Sequence, residues 1–416
     1  MLYNLLIIFF LFFSFPIAGP LNSFLLAFFM AISKLIYKGK TNLIFRWYKI
    51  QYTYLLLWAT LGIISLCGIW TIILGACDFS LLVAFISVLI GIITVLIVSS
   101  SLNCIQFNED FVEELIVNVF CLQAIISIGA FISPKILEIV HHFQFSQDAE
   151  RAEQAYSGFR GLAISGRLYF EFAATCGLVT IIQFKRLIGL SKTSYIEYLK
   201  LFLLIICGFF AGRTALIGVG FGFLYVLFCK RTIITKVKFI GFFLTVLVCF
   251  ILLVILILPS NTLLFFTDHV LPWVFDLLIK YSESGSTESS YSFNTLNEMY
   301  EYIVITTQEW CIGSGYYMNQ VGSGYYKSVD AGYLRQLLYW GLPGSIISYL
   351  YTLVYFIKPY KLTKDINEKL FIGLIVIYTF FIHYKGDLAS TSRFYLDIIL
   401  FLMLPYIIIK NRKVTI

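Results

Sequence analysis

Four arginines lie within one or two helical turns of the end of a hydrophobic run, on the side that the distribution of basic residues predicts to be outer. A guanidinium group at that depth costs up to about 3 kcal/mol on insertion scales, and a bound anion offsets this cost. Its forked donors match a lipid pyrophosphate better than an ammonium group does. The alternatives are contact with lipid head groups and structural pairing with Glu171, Asp330 or Asp387. The four arginines are Arg167, Arg213, Arg335 and Arg393.

Asp330 is the candidate general base, because it closes a long polar segment and stands directly before a hydrophobic run. It would lie near Arg335 if the residues that follow it are helical. An aspartate in this place is also a common helix N-cap. His269, preceded by Asp268, is the alternative base, although a lone histidine on an amphipathic helix more often lies at the membrane interface.

Two further basic residues extend the candidate binding site. Arg160 lies in the first predicted outer segment. Lys385 lies between the last two hydrophobic runs, where it either helps to close the site or pairs with Asp387. The sequence has no zinc-ligand spacing, Asp-x-Asp pair or Walker loop, so we expect neither a metal nor a nucleotide cofactor.

The segment Gly313 to Tyr317 is repeated letter for letter as Gly322 to Tyr326. A dinucleotide fingerprint needs a preceding strand and a following helix, and this context supplies neither. Tyr316 and Tyr325 are candidates for stacking on sugar rings, with the glycines permitting close approach of the backbone. Tyrosines in an interfacial loop are equally typical of packing alone.

These residues must be positioned by membrane helices. The chain is 60% hydrophobic and 13% charged, with a mean hydropathy of +0.88, which excludes a single soluble core of 416 residues. The net charge of +7 comes from short basic clusters between hydrophobic runs. Such clusters indicate membrane orientation and not a nucleic-acid surface. We therefore predict an all-α polytopic membrane protein that binds no nucleic acid.

Hydrophobic runs and basic clusters together predict twelve spans with both termini cytoplasmic. The run from Leu201 to Cys229 counts as two short helices, because basic clusters flank it on both sides. One predicted inner loop does not fit this charge distribution, since residues 99–113 carry three acidic residues and no basic one. The predicted divisions are helices 1–5 in residues 1–134, a first periplasmic loop with an interfacial helix in 135–167, helices 6–9 in 168–258, a large periplasmic loop in 259–331, and helices 10–12 with a cytoplasmic tail in 332–416.

The pattern resembles bacterial O-antigen and related polysaccharide polymerases, and more loosely the O-antigen ligases. The resemblance lies in twelve spans, in Ala211-Gly212-Arg213-Thr214 at an outer turn, and in a late outer loop ending in three short motifs. These motifs are Gly313-Ser314-Gly315, Asp330 to Leu334, and Gly341 to Gly344.

The resemblance implies a membrane glycosyltransferase with a fold similar to the GT-C class, in the bacterial inner (plasma) membrane. Its donor would be a growing glycan on undecaprenyl pyrophosphate, and its acceptor would be one lipid-linked repeat unit. The implied active site faces the periplasm. A regulator of chain length is an open candidate partner. The site needs cations for the departing pyrophosphate and at most one base for the attacking hydroxyl.

Two other functions stay open at this point. A flippase for the same lipid-linked sugars would also have about twelve spans, but related halves and short loops would be expected of it. A ligase that moves finished glycan to a lipid core is separated only weakly by the sequence. Exchange of the acceptor substrate distinguishes the ligase from the polymerase.

Overall fold

The computed structural model describes residues 2–18, 21–43, 50–102, 107–145, 160–190, 194–257, 291–320 and 324–412, together with residues 264, 267, 268, 272 and 282. Within these ranges the chain is largely helical, as the composition predicts. His269, the alternative base, lies outside the described residues, as does most of the predicted large loop before residue 291.

The first half of the chain forms two helical hairpins and a short surface helix. A two-stranded antiparallel turn joins the first two helices. The elements are α1 (Leu2–Phe13), β1 (Pro16–Ala18), β2 (Leu21–Asn22), α2 (Ser23–Tyr37), α3 (Gln51–Ile73), α4 (Ser80–Ser101), α5 (Glu109–Ile132) and α6 (Pro134–His142).

The second half adds further helices and a structured connection between them. Its elements are α7 (Phe170–Gly189), α8 (Tyr195–Ala211), α9 (Ala215–Phe228), α10 (Ile233–Ile257), α11 (Tyr291–Tyr302), α12 (Thr307–Cys311), a 3-10 turn (Tyr326–Ser328), α13 (Gly332–Leu362), α14 (Ile366–His383) and α15 (Arg393–Arg412).

In the part of the chain that the structure describes, six helices are long and apolar enough to cross a membrane, namely α3, α4, α5, α7, α13 and α14. The helices α1, α2 and α9 are apolar but shorter. Long apolar helices with exposed aliphatic side chains define a polytopic membrane protein. Its core is rich in aromatic side chains, with Phe13, Phe120, Phe172 and Phe394 joining α1, α5, α7 and α15.

The predicted break in the run 201–229 is confirmed. α8 ends at Ala211, Gly212 adopts an extended conformation, and α9 begins at Ala215. The segment predicted to hold an interfacial helix does contain a helix, α6, in which Ile136 and Ile139 are exposed while Val140 is buried.

The acidic loop 99–113, which does not follow the rule that cytoplasmic loops are basic, pairs with basic residues of another helix. Glu113 contacts the ammonium of buried Lys185, which also lies 2.7 Å from Glu368. Glu114 lies 3.8 Å from Arg186. The acidic residues at the start of α5 thus meet basic residues at the end of α7, so both belong to the same end of the bundle.

A kink in α13 explains two of the glycine motifs. Gly341 has a φ of +67°, and Pro343 has no N–H to donate to the carbonyl of Tyr339. The N–H of Gly315 donates to that carbonyl at 3.1 Å instead, and Ser314 donates to Leu338 from both its N–H and its hydroxyl. The first Gly-Ser-Gly segment therefore satisfies the carbonyls that the kink leaves free.

Candidate functional site

The predicted outer loops meet at one end of the bundle. Gly166 donates its N–H to the carbonyl of Phe13 at 2.7 Å, which joins the first outer loop to the α1–α2 turn. The α3–α4 loop reaches the late outer segment through Asp78, and the α8–α9 turn reaches the α14–α15 loop through Thr214. This common end carries the candidate residues.

The described parts of the two repeated segments lie side by side at this end. Met318 and Tyr325 form an antiparallel bridge, and the N–H of Tyr326 donates to the carbonyl of Tyr317 at 3.3 Å. We call residues 316–320 and 324–326 the tyrosine hairpin. Tyr316 stacks on Tyr326 with ring centroids 5.6 Å apart, so this candidate sugar-stacking ring lies against another tyrosine.

Arg335, in the first turn of α13, lies under the tyrosine hairpin. Its guanidinium carbon lies 4.0 Å from the ring centroid of Tyr317 and 3.5 Å from that of Tyr325. The residue is only 7% exposed. Within the described part of the chain its side chain makes no ion pair or hydrogen bond, and its Nε is buried without an acceptor. The carboxylates of Asp387 and Asp330 act on the guanidinium from beyond ion-pair distance, so a bound anion would add to the stabilisation of this buried charge.

Asp387, in the loop between α14 and α15, holds the hairpin to the bundle. Its Oδ2 accepts from the phenol of Tyr317 at 2.8 Å and from Nε2 of Gln336 at 2.7 Å. Burial raises the pKa of Tyr317 well above its ordinary value, so this phenol stays a donor. The suggested pair between Lys385 and Asp387 does not form, because each contacts a different element.

Asp330, the candidate base, is exposed at the entry to α13. The helix N-cap is Ala331, and no side chain caps the first turn, so the alternative role of Asp330 as a capping residue is wrong. The carboxylate lies near enough to Arg335 for the two charges to interact. Asp330 therefore has the access to solvent that a base for an incoming hydroxyl requires.

A second cationic group lies where α8, α9 and α14 meet. Lys385 donates to the hydroxyl of Thr214 at 3.0 Å and lies within electrostatic range of Arg213 and Arg160. Burial, and then repulsion from Arg213 and Arg160, lowers the pKa of Lys385 to about 8. The residue is nevertheless exposed at the surface of the bundle. An anion bound there would relieve the repulsion.

Arg160 has a structural contact as well. Its Nε and Nη2 donate to the carbonyl of Ala211 at 3.1 and 2.8 Å, at the last residue of α8. A cation that binds a free carbonyl at a helix C-terminus also complements the helix dipole. Arg160 therefore fixes the turn that carries Arg213.

Arg167 and Arg393 form a third group at the α1–α2 turn. Arg393 donates to the hydroxyl of Ser14 at 2.5 Å and lies 3.8 Å from buried Asp397. Arg167 is largely exposed and lies 3.8 Å from Glu171. Both side chains thus have a carboxylate within 4 Å, whereas Arg335 makes no ion pair in the described structure.

Two acidic residues that hold the tyrosine hairpin in place were not predicted from the sequence. Asp78 accepts the N–H groups of Tyr317 and Met318, both at 2.7 Å. Desolvation tends to raise the pKa of Asp78, but these bonds and those from Ser80 outweigh it and lower the pKa. Nothing in the local sequence links Asp78 to a segment 240 residues later.

Glu309 is the second of these acidic residues and fastens the base of the hairpin. It is buried, forms a capping box with Thr306, and pairs with Lys327 at 2.7 Å. Desolvation opposes ionisation, but bonds from Lys327 and Thr306 lower the pKa of Glu309 overall. The Thr-x-x-Glu spacing was a readable signal for this cap.

Comparisons with protein-family models, with curated proteins and with solved structures found no match to this chain.

The arrangement supplies three elements of anion chemistry at one end of a membrane bundle. It has a buried arginine without an ion pair in the described residues, a lysine crowded by two arginines, and an exposed carboxylate within electrostatic range of the first arginine. Forked donors and ammonium groups stabilise phosphate oxygens, and a nearby carboxylate can accept a proton.

Proposed function

We propose that this protein is a polysaccharide polymerase of the bacterial inner membrane, with twelve spans, cytoplasmic termini and a periplasmic site. It transfers a growing glycan from undecaprenyl pyrophosphate to an incoming lipid-linked repeat unit. The observation that carries the proposal is Arg335, 7% exposed and with no ion pair among the described residues. The resemblance of the flanking motifs to O-antigen polymerases supports the same class.

Arg335 has the environment expected of a group that stabilises a departing pyrophosphate. Tyr317 and Tyr325 contact the guanidinium and limit its movement, so little rotational freedom is lost when it binds. Asp387 fixes Tyr317 from the other side. Lys385 and Arg213 would hold further phosphate oxygens, while Arg167, Arg393 and the open edge of Tyr325 would contact the substrates more peripherally.

Asp330 is the proposed base. A hydroxyl of the acceptor sugar attacks the anomeric carbon of the donor and forms the new glycosidic bond. The bond between that carbon and the pyrophosphate oxygen breaks, and the leaving group takes the electron pair. The hydroxyl proton passes to the carboxylate of Asp330. The donor is already activated, so the reaction requires no nucleotide.

Contacts between loops support the proposed orientation. The loops predicted to be periplasmic contact one another, and the acidic start of α5 contacts the end of α7 at the other end of the bundle. The latter end carries most of the Lys and Arg residues, which favour the cytoplasmic side.

The proposal is tested with purified protein in liposomes and a lipid-linked repeat unit, with chelator present and nucleotide absent. A ladder of glycan lengths on a gel is the expected product, and it should be lost in Arg335→Gln and Asp330→Asn. A ladder that depends on added nucleotide would contradict the proposal. Transfer of a finished glycan to a lipid core, without a ladder, would indicate a ligase.

A further inference from the structure

Two helices end together at the cationic group around Lys385. α9 begins at Ala215, directly after Thr214, and α14 ends at His383, two residues before Lys385. The bond from Lys385 to Thr214 joins the outer ends of both helices. A ligand bound along the seam between α9 and α14, on the surface that faces lipid, would therefore have its outer end next to Lys385.

α9 leaves one face to the lipid. Gly218 packs against the backbone of Gly177 in α7, and the ring of Phe223 lies 5.4 Å from that of Phe243 in α10. Phe221 packs against α14. The remaining face carries Gly220, Leu224 and Leu227, all exposed.

α14 presents a matching stripe toward the lipid. Ile377 and Phe381 are each 57% exposed, and Tyr384 continues the stripe to the residue before Lys385. The ring of Phe381 also lies 5.8 Å from that of Phe221, so Phe381 marks the seam between the two helices. The two exposed faces thus border one seam, which we call the α9–α14 groove.

Two glycines leave free space along the α9–α14 groove. A Cβ atom placed on Gly220 or on Gly373 would meet no other atom within 4 Å. The fourteen residues of α9 give the groove a length of about 21 Å. Apolar walls of this length suit a flexible hydrocarbon chain that lies parallel to the helices.

We propose that the α9–α14 groove binds the isoprenoid chain of a polyprenyl pyrophosphate whose head group contacts Lys385 and Arg213. The inference rests on the proposed function and adds the place of the lipid. Charge selects the occupant, because Lys385, Arg213 and Arg160 together complement a pyrophosphate better than the single phosphodiester of an ordinary phospholipid. The chain then extends along Phe381 and Ile377 toward Gly373.

The test fills the groove without touching the cations. Gly220→Leu and Gly373→Leu place a side chain where space is free, so both variants are expected to fold. Gly62→Leu and Gly241→Leu are matched controls, because their added Cβ atoms also meet nothing within 4 Å but lie on α3 and α10. The probes are undecaprenyl pyrophosphate and inorganic pyrophosphate, titrated against the protein in nanodiscs.

The groove variants should weaken binding of undecaprenyl pyrophosphate about tenfold and leave inorganic pyrophosphate unchanged. The control variants should bind both probes like the wild type. Groove variants that bind the lipid as tightly as the controls would overturn the inference, as would a wild-type protein that does not bind it.

Measuring lipid binding and polymer formation separately distinguishes a failure of this inference from a failure of the proposed function. If the groove variants lose lipid binding but the wild type makes no polymer, the groove is correct and the polymerase proposal is wrong. If polymer forms and the KM for the lipid-linked donor is the same in Gly220→Leu and Gly62→Leu, the polymerase proposal holds and the groove is wrong.

Discussion

The guanidinium carbon of Arg335 lies 3.5 Å from the ring centroid of Tyr325, across the tyrosine hairpin from the helix that carries the arginine. Because the guanidinium makes no ion pair in the described residues, and Asp387 and Asp330 act on it only from a longer range, its removal should affect substrate binding more than an internal ion pair. The tyrosine ring and the arginine therefore form a binding group that is assembled before the substrate arrives.

Two substitutions of Arg335 should distinguish the contribution of its positive charge from that of its forked hydrogen-bond donors. Arg335→Gln should lower kcat by about two to three orders of magnitude, as loss of a donor to a developing anion does. Arg335→Lys keeps the charge but loses the fork, and should recover part of the activity. Lys361→Gln, an exposed lysine at the other end of the bundle, is the control for net charge. Equal activity of Arg335→Gln and this control would contradict the role of Arg335.

Lys385 should cause kcat/KM to fall on the alkaline side of its pH profile. The pKa of its ammonium is about 8, so the cation is lost as the pH rises through that value. If the cation binds the donor, kcat/KM falls above pH 8, because this ratio reports the free enzyme. Lys385→Arg stays charged throughout and should move this fall to higher pH. An unchanged pH profile in that variant would assign the fall to another group.

Asp330 and Asp387 should respond differently to mutation. Asp330→Asn should lower kcat by roughly a hundredfold or more while the thermal unfolding temperature stays the same, because the residue is exposed. Asp387→Ala leaves the phenol of Tyr317 and the amide of Gln336 without their acceptor, at about 1–3 kcal/mol for each buried group. Thermal unfolding in detergent measures the second effect. The reverse pattern would make Asp387 the base.

The kink of α13 should depend on glycine. A Cβ atom on Gly341 would lie 2.6 Å from the N atom of Ile312, and the residue has a positive φ. Gly341→Ala should therefore destabilise the protein by more than about 1 kcal/mol. Gly62→Ala, in open space on α3, is expected to be neutral or slightly stabilising. Equal unfolding temperatures for the two variants would show that the kink tolerates a side chain.

The helices were predictable because apolar runs of membrane length leave few alternatives. The break at Gly212 followed from basic clusters on both sides of one run, and charge alone was sufficient there. The acidic start of α5 misled the charge rule, since its partners Lys185 and Arg186 lie on another helix. Pairing across helices is invisible to a rule that reads one loop at a time.

The candidate site was predictable in part. Arg335 and Lys385 stood out as charges near helix ends, but the contact of Arg335 with both tyrosines needs the hairpin that folds one repeat onto the other. Asp78 and Asp387 reach the tyrosine hairpin across 240 and 70 residues of sequence, and aspartates are common in loops. Their roles become visible only when the loops meet.

Release of undecaprenyl pyrophosphate tests the central claim most directly. Purified protein in liposomes is given a lipid-linked repeat unit, and free lipid pyrophosphate and new glycosidic linkages are counted in the same reaction. A glycosyltransferase of the proposed kind releases one lipid pyrophosphate for each linkage, and Arg335→Gln slows both equally. Movement of the intact lipid-linked sugar across the bilayer, with no pyrophosphate released, would contradict the claim and identify a flippase.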